Sequence, residues 1–341
     1  MGKKICIVAM FVVCFFLIIS VLFFYNNKLQ KIDLSQNKIS SELDSAVSFI
    51  IKEYEQNEIF GTFLCKEDLF DCKPSQFSFF ISEAILNSIL EIERNEMLDE
   101  ILKKEVERTS SCQNEQLFWD FYCKNDPNEE FYYPDLDSTA LASWFLSSQN
   151  IEHRLSEIKN QIKKTQFYNG ALLTFLRDFQ PPPHAMNQDP VANANALVLL
   201  SEEIPSVCEY INNNFDKSIY YTDDVVLFYM LSKAYSRGAK CLSPALGKLY
   251  KRIKSSDLLK KNKHPMHLAM FVTALIKFDN TDIKVLNVAI KSLFETEWDL
   301  PFREHFFRTG LNKKRDFYYS PAFSAAVYAE ALTNIKSYLS K

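Results

Sequence analysis

Residues 137–164 read DSTALASWFLSSQNIEHRLSEIKNQIKK, and this stretch contains the pattern that decides the fold. Its first part, 137–148, is rich in alanine and is apolar on nearly every side of a helix. Its second part, 151–164, carries lysine and glutamate on one side. A helix that is apolar all round is buried, whereas a helix with a charged face lies at the surface. The stretch therefore predicts a buried helix followed by a surface helix.

The same alternation of surface and buried segments runs along the rest of the chain. Apolar residues at helical spacing predict twelve helices, and no segment has the period-two pattern of a strand. In chain order these helices cover residues 41–54, 77–92, 96–108, 137–148, 151–164, 189–202, 206–215, 223–235, 244–255, 265–278, 282–294 and 320–335. Six surface-then-buried hairpins predict an all-α fold, an (α/α)₆ toroid whose buried helices line a central barrel. An open helical solenoid is the alternative.

The N-terminal region predicts attachment to a membrane. Two lysines precede an uncharged apolar run, 5–25, which is long enough to span a bilayer as a helix. The positive-inside tendency places residues 1–4 in the cytoplasm and the bulk of the chain outside it, in a periplasmic or lumenal space. A cleaved signal peptide is the alternative. The polar residues 26–40 predict a stalk, so that the toroid domain covers 41–341.

The cysteines beyond the apolar run are consistent with this topology. There are six of them, and an even number fits disulfide formation in an oxidising compartment. Pairing between sequence neighbours predicts the bridges Cys65–Cys72, Cys112–Cys123 and Cys208–Cys241. Six unconnected buried thiols are the alternative, because free cysteine is often a small core residue.

Composition argues against two classes of partner. The net charge is −4 and the lysines are scattered, whereas a nucleic-acid groove needs clustered lysine and arginine to neutralise phosphates. Cysteine and histidine residues at the spacing of a zinc site are not found in the sequence. We therefore expect neither nucleic acid nor a metal or other cofactor, and the sequence identifies no protein partner.

Polar residues gather where the buried helices are predicted to begin. In a ring of identical hairpins the buried helices are parallel, so their N-termini open on one rim, and a concave mouth with converging polar groups is the usual place for a site. The residues at these starts are Asp135, Asp137, Asp189, Asp223, Asp224, His264, His267, Tyr318 and Tyr319. Asn193 lies one turn after Asp189, and Trp144 lies in a buried helix; we include both as candidate substrate-binding residues. The alternative for each aspartate is helix capping alone.

The segment PDLDSTALASW, residues 134–144, resembles the D-x-D-D-T-A segment of class II terpenoid cyclases of the squalene-hopene cyclase type. Those enzymes use α/α toroids related to the β subunits of protein prenyltransferases. The middle aspartate of the family protonates an alkene or an epoxide and so starts carbocation cyclisation. The resemblance implies an isoprenoid or other lipid ligand, with Asp137 as the proton donor, Asp135 as its partner, and Ser138 in place of the third aspartate. Such an acid needs a raised pKa, which paired carboxyls in an apolar pocket provide.

Two further functions fit the same architecture. (α/α)₆ barrels also host glycosidases and lyases, and Asp137, Asp189 and Asp224 are candidate acids and bases for such chemistry. The aromatic residues that could stack on sugars are Trp119, Tyr122, Tyr132, Tyr133 and Trp298. A closed apolar pocket would favour an isoprenoid, whereas an open groove with exposed aromatic side chains would favour a glycan. The third function is a membrane-anchored module that binds a lipid or a peptide without turnover.

Overall fold

The structure is a computed structural model that describes residues 36–65, 72–74, 78–123, 133–151, 153–176, 188–221, 223–256, 265–278, 282–295, 307–308 and 317–340. Most of them are helical, which confirms the mainly helical fold. The predicted membrane span, 5–25, lies outside the described residues. Within those residues, no helix combines the length and the apolar character that crossing a bilayer requires.

The described residues form twelve α-helices, which we number in chain order. They are α1 Gln36–Asn57, α2 Phe79–Ile89, α3 Glu96–Ser111, α4 Leu136–Ser148, α5 Leu155–Lys163, α6 Pro190–Leu200, α7 Pro205–Asn214, α8 Asp224–Ser236, α9 Ser243–Ser255, α10 Pro265–Lys277, α11 Ile283–Glu295 and α12 Pro321–Leu339. Helix α1 begins five residues earlier than the sequence pattern predicts, inside the expected stalk 26–40. The reason is that Ile39 is fully buried in the core and Lys38 donates a hydrogen bond to the backbone oxygen of Phe294, at 3.2 Å.

The even-numbered helices are the buried ones, as the sequence alternation predicts. Every residue of α2 and of α6 is buried, whereas α5 buries only Ile158 and Ile162. Each even-numbered helix contacts the next even-numbered helix along the chain, and α12 in turn contacts α2. Among the odd-numbered helices, α1 packs on α12, α3 on α4, α7 on α6, α9 on α8 and α11 on α10. The core therefore lies between and behind the even-numbered helices.

A small antiparallel sheet joins two connections that are distant in sequence. Its strands are β1 Phe63–Cys65, β2 Cys72–Pro74, β3 Phe307–Arg308 and β4 Phe317–Tyr319, in the order β2-β1-β4-β3. In the pair formed by β1 and β4, Phe63 lies opposite Tyr319. The expectation of a chain without strands is wrong here, because strands of two or three residues are too short to show a period of two.

All three predicted disulfides are present, namely Cys65–Cys72, Cys112–Cys123 and Cys208–Cys241. The first joins β1 to β2, the second follows the end of α3, and the third links α7 to the turn before α9. Disulfides persist in oxidising compartments, so they indicate a location outside the cytoplasm.

The even-numbered helices start together at one end of the helical body and finish together at the other. Near their starts, the hydroxyls of Tyr122 and Tyr318 are 3.0 Å apart. Near their ends, Glu91 contacts both Arg237, at 3.1 Å, and Lys277, at 3.3 Å. We call these ends the N-terminal face and the C-terminal face.

The connections before and after the even-numbered helices differ in length. Those that precede an even-numbered helix are residues 58–78, 112–135, 164–189, 215–223, 256–264 and 296–320, and those that follow one are 90–95, 149–154, 201–204, 237–242 and 278–282. Every connection of the first set is longer than any of the second. Functional residues concentrate on longer connections held by a rigid scaffold. We therefore expect a functional site at the N-terminal face, where the even-numbered helices begin.

Candidate functional site

The side chain of Asp137 is held inside the protein by two other helical hairpins. Asp137 lies in the first turn of α4 and is buried. The side-chain amide of Asn195, in α6, donates a hydrogen bond to its Oδ1 at 2.6 Å. The hydroxyl of Tyr221, just before α8, donates another to its Oδ2 at 2.5 Å. Both carboxyl oxygens are thus bound by neutral donors from residues distant in sequence.

Asp135, two residues earlier, has a different role because it caps α4. Its Oδ1 accepts the backbone N–H of Ser138 and its Oδ2 accepts the hydroxyl of Ser138, both at 2.7 Å. Its own backbone N–H donates to the oxygen of Trp119 at 3.1 Å. An N-cap needs one carboxyl, and Asp135 supplies it. Asp137 is therefore left free of any capping role.

Burial changes the proton affinity of these carboxyls. It raises the pKa of Asp137 to about 6, against the lowering effect of the hydrogen bonds from Tyr221 and Asn195. It raises the pKa of Asp135 to about 8, with the hydrogen bonds from Ser138 opposing it. A buried carboxyl with a pKa near the working pH is typical of a general acid or base. Asp137 fits that description, because it is not committed to the helix cap.

Asp189 caps α6 and lies close enough for its charge to raise the pKa of Asp137. Its Oδ1 accepts the backbone N–H groups of Val191 and Ala192, and its Oδ2 accepts the hydroxyl of Ser218 at 2.5 Å. Burial raises its own pKa, and these hydrogen bonds oppose the increase. Asp189 is thus a second buried carboxyl on the N-terminal face.

Three of the other predicted site residues do not face Asp137. Asn193 is fully buried and bonds both backbone groups of Leu172, its oxygen accepting at 2.7 Å and its amide donating at 3.0 Å. Asp223 caps α8 through the N–H of Val225. Asp224 lies 3.5 Å from Arg252 of the outer helix α9 and is 40% exposed. These three side chains hold the scaffold in place.

The predicted aromatic and histidine residues are spread over both faces. Tyr318 and Tyr319 are buried in β4, and the Tyr318 ring lies 5.3 Å from that of Phe121. His267 is buried in the first turn of α10. Trp144 is at the C-terminal face, where the guanidinium of Arg237 lies 4.6 Å from its ring, so it is remote from Asp137. His264, Tyr132 and Trp298 lie outside the described residues.

The aromatic residues considered for sugar stacking do not form an open platform. Trp119 is fully buried and donates its indole N–H to the backbone oxygen of Thr109 at 2.7 Å. Tyr122 is buried against Tyr318. Tyr133 is only partly buried.

A buried network of charges at the C-terminal face was not anticipated. Lys233 of α8 and Glu330 of α12 are joined at 2.9 Å, and Glu91 contacts Arg237 and Lys277. Burial lowers the pKa of Lys233 to about 8, against the effect of Glu330. Burial alone would raise the pKa of Glu91, but the three cations lower it to about 2. The feature of the sequence that could have indicated this network is a lone charged residue within an otherwise apolar helix.

A small cavity lies between this network and Asn195, the residue that donates a hydrogen bond to Asp137. Its volume is about 20 Å³. Its lining includes Leu141, Asn195, Tyr229, Lys233 and Arg237. A space of this size holds about one water molecule, whereas ligand pockets usually measure roughly 300–1,000 Å³. The cavity is therefore too small to enclose an isoprenoid chain.

Neither metal ligands nor similar proteins identify the site. Among the described residues, no group of three or more His, Cys, Asp or Glu side chains is arranged to hold a metal ion. No protein-family model matches the chain, and no curated protein matches it in sequence.

Proposed function

We propose that this protein is an acid–base enzyme built on an α/α toroid, anchored by residues 5–25 and located outside the cytoplasm. The circuit of contacts through the even-numbered helices, with the odd-numbered helices packed behind them, supports the toroid. The disulfides support the location. Asp137 is the proposed proton donor, and a saccharide is the proposed class of substrate.

The environment of Asp137 is the observation that carries this proposal. A buried carboxyl is costly unless hydrogen bonds or charges compensate it. Helix capping does not explain the cost, because Asp135 already caps α4. Polar groups that the fold does not need, held by neighbours from other elements, are typical of functional sites.

The pKa of Asp137 results from two opposing effects, its burial and the hydrogen bonds from its two neighbours. Hydrogen bonds donated by Tyr221 and Asn195 favour the carboxylate, whereas burial favours the acid. When Asp137 is protonated, the Tyr221 hydroxyl can rotate and accept a hydrogen bond from the carboxylic O–H, because a phenol both donates and accepts hydrogen bonds. Tyr221 and Asn195 thus act as positioning residues. Asp189 caps α6, but its charge also acts on Asp137, so we propose that it combines the cap with the role of the second carboxyl that cleavage of a glycosidic bond requires.

The size of the interior space argues for a substrate that reacts at its edge. The cavity below Asp137 measures about 20 Å³, and its lining mixes polar groups with apolar side chains such as Leu141, Met230 and Phe323. Cyclisation of an isoprenoid would require an apolar enclosure of several hundred Å³. A saccharide can instead react at the rim of the barrel, where part of its surface stays in water.

Isoprenoid chemistry is the second candidate function, and one observation favours it. Phe80, Phe121, Tyr122 and Tyr318 form a cluster of aromatic rings at the N-terminal face, with the Phe80 and Phe121 rings 5.6 Å apart. Aromatic faces stabilise cations, including a carbocation beside the acid of the D-x-D-S-T-A segment.

Two matched variants of the full-length protein in detergent test the role of Asp137. The assay follows reducing ends released from soluble polysaccharides, and in parallel the conversion of squalene and of geranylgeranyl diphosphate. Asp137→Asn is expected to lower turnover at least about 10²-fold, the usual contribution of a general acid. Asp135→Asn is expected to retain turnover, because asparagine caps a helix as well as aspartate does. Equal turnover by wild type and Asp137→Asn would contradict the proposal, and turnover of an isoprenoid would favour the second candidate.

A further inference from the structure

Tyr168 is the most exposed large apolar or aromatic side chain in the described part of the chain. It is 92% exposed, and the next is Val288 at 49%. Its ring lies 4.5 Å from that of Phe167, measured between centroids. An exposed aromatic face is available to stack on the apolar face of a flat ligand.

Tyr168 stands on one wall of an open groove of about 690 Å³. The first wall is the turn 166–170, which is closed by hydrogen bonds from the N–H of Phe167 to the oxygen of Ala171 and from the N–H of Gly170 to the oxygen of Phe167. The second wall is the outer face of α7, including Ser206 and Tyr210.

The turn is fixed firmly to α7. The amide of Gln166 donates to the hydroxyl of Ser206 at 2.8 Å and to the oxygen of Gly170 at 3.1 Å. Gly170 has a φ of +88°, and a Cβ atom there would lie 2.6 Å from the Cβ of Ser206. Only glycine permits this conformation and this close approach. The groove is therefore shaped before any ligand arrives, which reduces the entropy lost on binding.

The polar groups of the groove suit an uncharged polyhydroxy ligand. Its lining consists of amides, hydroxyls and aromatic rings, with Glu209 the one charged side chain among the described residues there. Amides donate and accept hydrogen bonds, as sugar hydroxyls require, and an aromatic ring stacks on the apolar face of a sugar. Lysine and arginine are missing from this described lining, so a phosphate backbone finds no counter-charge there.

Two residues that line the groove contact Gln188, which is next to Asp189 of the acid site. Asn169 donates its side-chain amide to the side-chain oxygen of Gln188, at 2.5 Å, and Tyr210 donates its hydroxyl to the backbone oxygen of Gln188. Gln188 directly precedes Asp189, the carboxyl whose charge acts on Asp137. We infer that this groove is a binding subsite for a neutral saccharide chain, which stacks on Tyr168 and extends toward Asp137. The identification of the chain as substrate rests on the proposed function.

Calorimetric titration of the full-length protein in detergent with four soluble probes tests the inference. The probes are cellohexaose, xylohexaose, maltohexaose and chitohexaose. At least one is expected to bind the wild type, Tyr168→Ala is expected to weaken that binding about tenfold, and Tyr168→Phe is expected to keep it. Val288→Ala, at an exposed site on α11, is the control for a general effect of surface truncation.

The outcomes separate the groove from the proposed activity. Failure of all four probes to bind the wild type, or equal binding by Tyr168→Ala, would overturn the inference. Binding that depends on Tyr168 and is unchanged in Asp137→Asn would support the groove even if Asp137 had no catalytic effect. Turnover that depends on Asp137 but not on Tyr168 would support the proposed activity and contradict the assignment of the groove as a binding subsite.

Discussion

Both faces of the helical body contain buried carboxyls, but the carboxyls at the C-terminal face are held by a group of cations, whereas three buried aspartates of the N-terminal face are held by neutral groups. At the C-terminal face, Glu91 and Glu330 contact Lys233, Arg237 and Lys277. At the N-terminal face, the hydrogen-bond partners of Asp135, Asp137 and Asp189 among the described residues are neutral. A cation beside a carboxyl fixes the charged state, whereas neutral donors leave the proton able to move. The difference indicates a structural role for the first face and a chemical role for the second.

The largest effect is expected from breaking the network at the C-terminal face. Glu330→Ala should lower the free energy of unfolding by about 3–5 kcal/mol, because Lys233 would stay buried without its partner. The double variant Lys233→Met with Glu330→Leu should recover most of the loss, because an apolar pair of similar volume often replaces a buried ion pair at little cost. Urea unfolding measures both. A double variant as unstable as the single one would show that the pair is not the cause.

The next effect is a dependence on pH that should be specific to the N-terminal face. Because burial raises the pKa of Asp137 from 3.8 to about 6, the folded state binds this proton more tightly than the unfolded chain does. The associated stability is present below pH 4 and is lost as the pH rises through about 6. Asp137→Asn has no such proton. The free energy of unfolding of Asp137→Asn should therefore rise relative to that of the wild type by on the order of 3 kcal/mol between pH 4 and pH 7.

Urea unfolding at pH 4, 5, 6 and 7 measures this gain. The exposed Asp44→Asn is the matched control and should run parallel to the wild type. A constant difference between Asp137→Asn and the wild type over this range would contradict the buried, neutral environment of Asp137.

The opposite sign is expected at Glu91 on the C-terminal face. Its pKa is lowered from 4.5 to about 2, so its contribution to stability is present above pH 4.5 and is lost as the pH falls through about 2. Glu91→Gln should lower the free energy of unfolding at pH 7 by on the order of 2 kcal/mol, a value reduced for partial exposure. Below pH 2 the variant and the wild type should converge. A difference that persists in acid would show that packing, not charge, is responsible.

The smallest effect is expected at Asp223, an aspartate of the N-terminal face that caps a helix and has no proposed part in the reaction. Asp223→Ala should lower the free energy of unfolding by about 1 kcal/mol, because α8 loses its N-cap, whereas Asp223→Asn should change it by a few tenths. Turnover should be unaffected by either substitution. Loss of turnover in Asp223→Asn would place this residue in the site and contradict the purely structural role that we assign to it.

Much of the fold could be predicted because it depends on local patterns. The difference between 137–148 and 151–164 distinguishes buried from surface helices, since a helix packs with whichever faces are apolar. The cap at Asp189 followed from its position before a helix and a proline. The disulfides followed from nearest-neighbour spacing in an even set of cysteines.

The site could be predicted only in part, because its contacts join residues far apart in sequence. Asp137 was identified from its motif, but its bond to Asn195 spans two hairpins and Tyr221 was missed entirely. Helical periodicity indicates which face of a helix is buried, but not which neighbour each residue meets. For the same reason, a pair of aspartates at the start of α8 gave no indication that Asp224 turns outward to Arg252.

The contact of α12 with both α1 and α2 also bears on how the protein can fold. Ser320 donates its hydroxyl to the oxygen of Gly61 at 2.8 Å, and Tyr328 donates to Glu42 at 3.4 Å, so the circuit closes between residues made early and late in synthesis. Contacts this distant in sequence form slowly, because the intervening chain must first lose its freedom. Until α12 emerges, the surfaces of α1 and α2 that pack on it have no permanent partner and are exposed to aggregation. A chain with this architecture depends on being kept apart from its copies during synthesis, and the arrival of α12 determines when that protection can end.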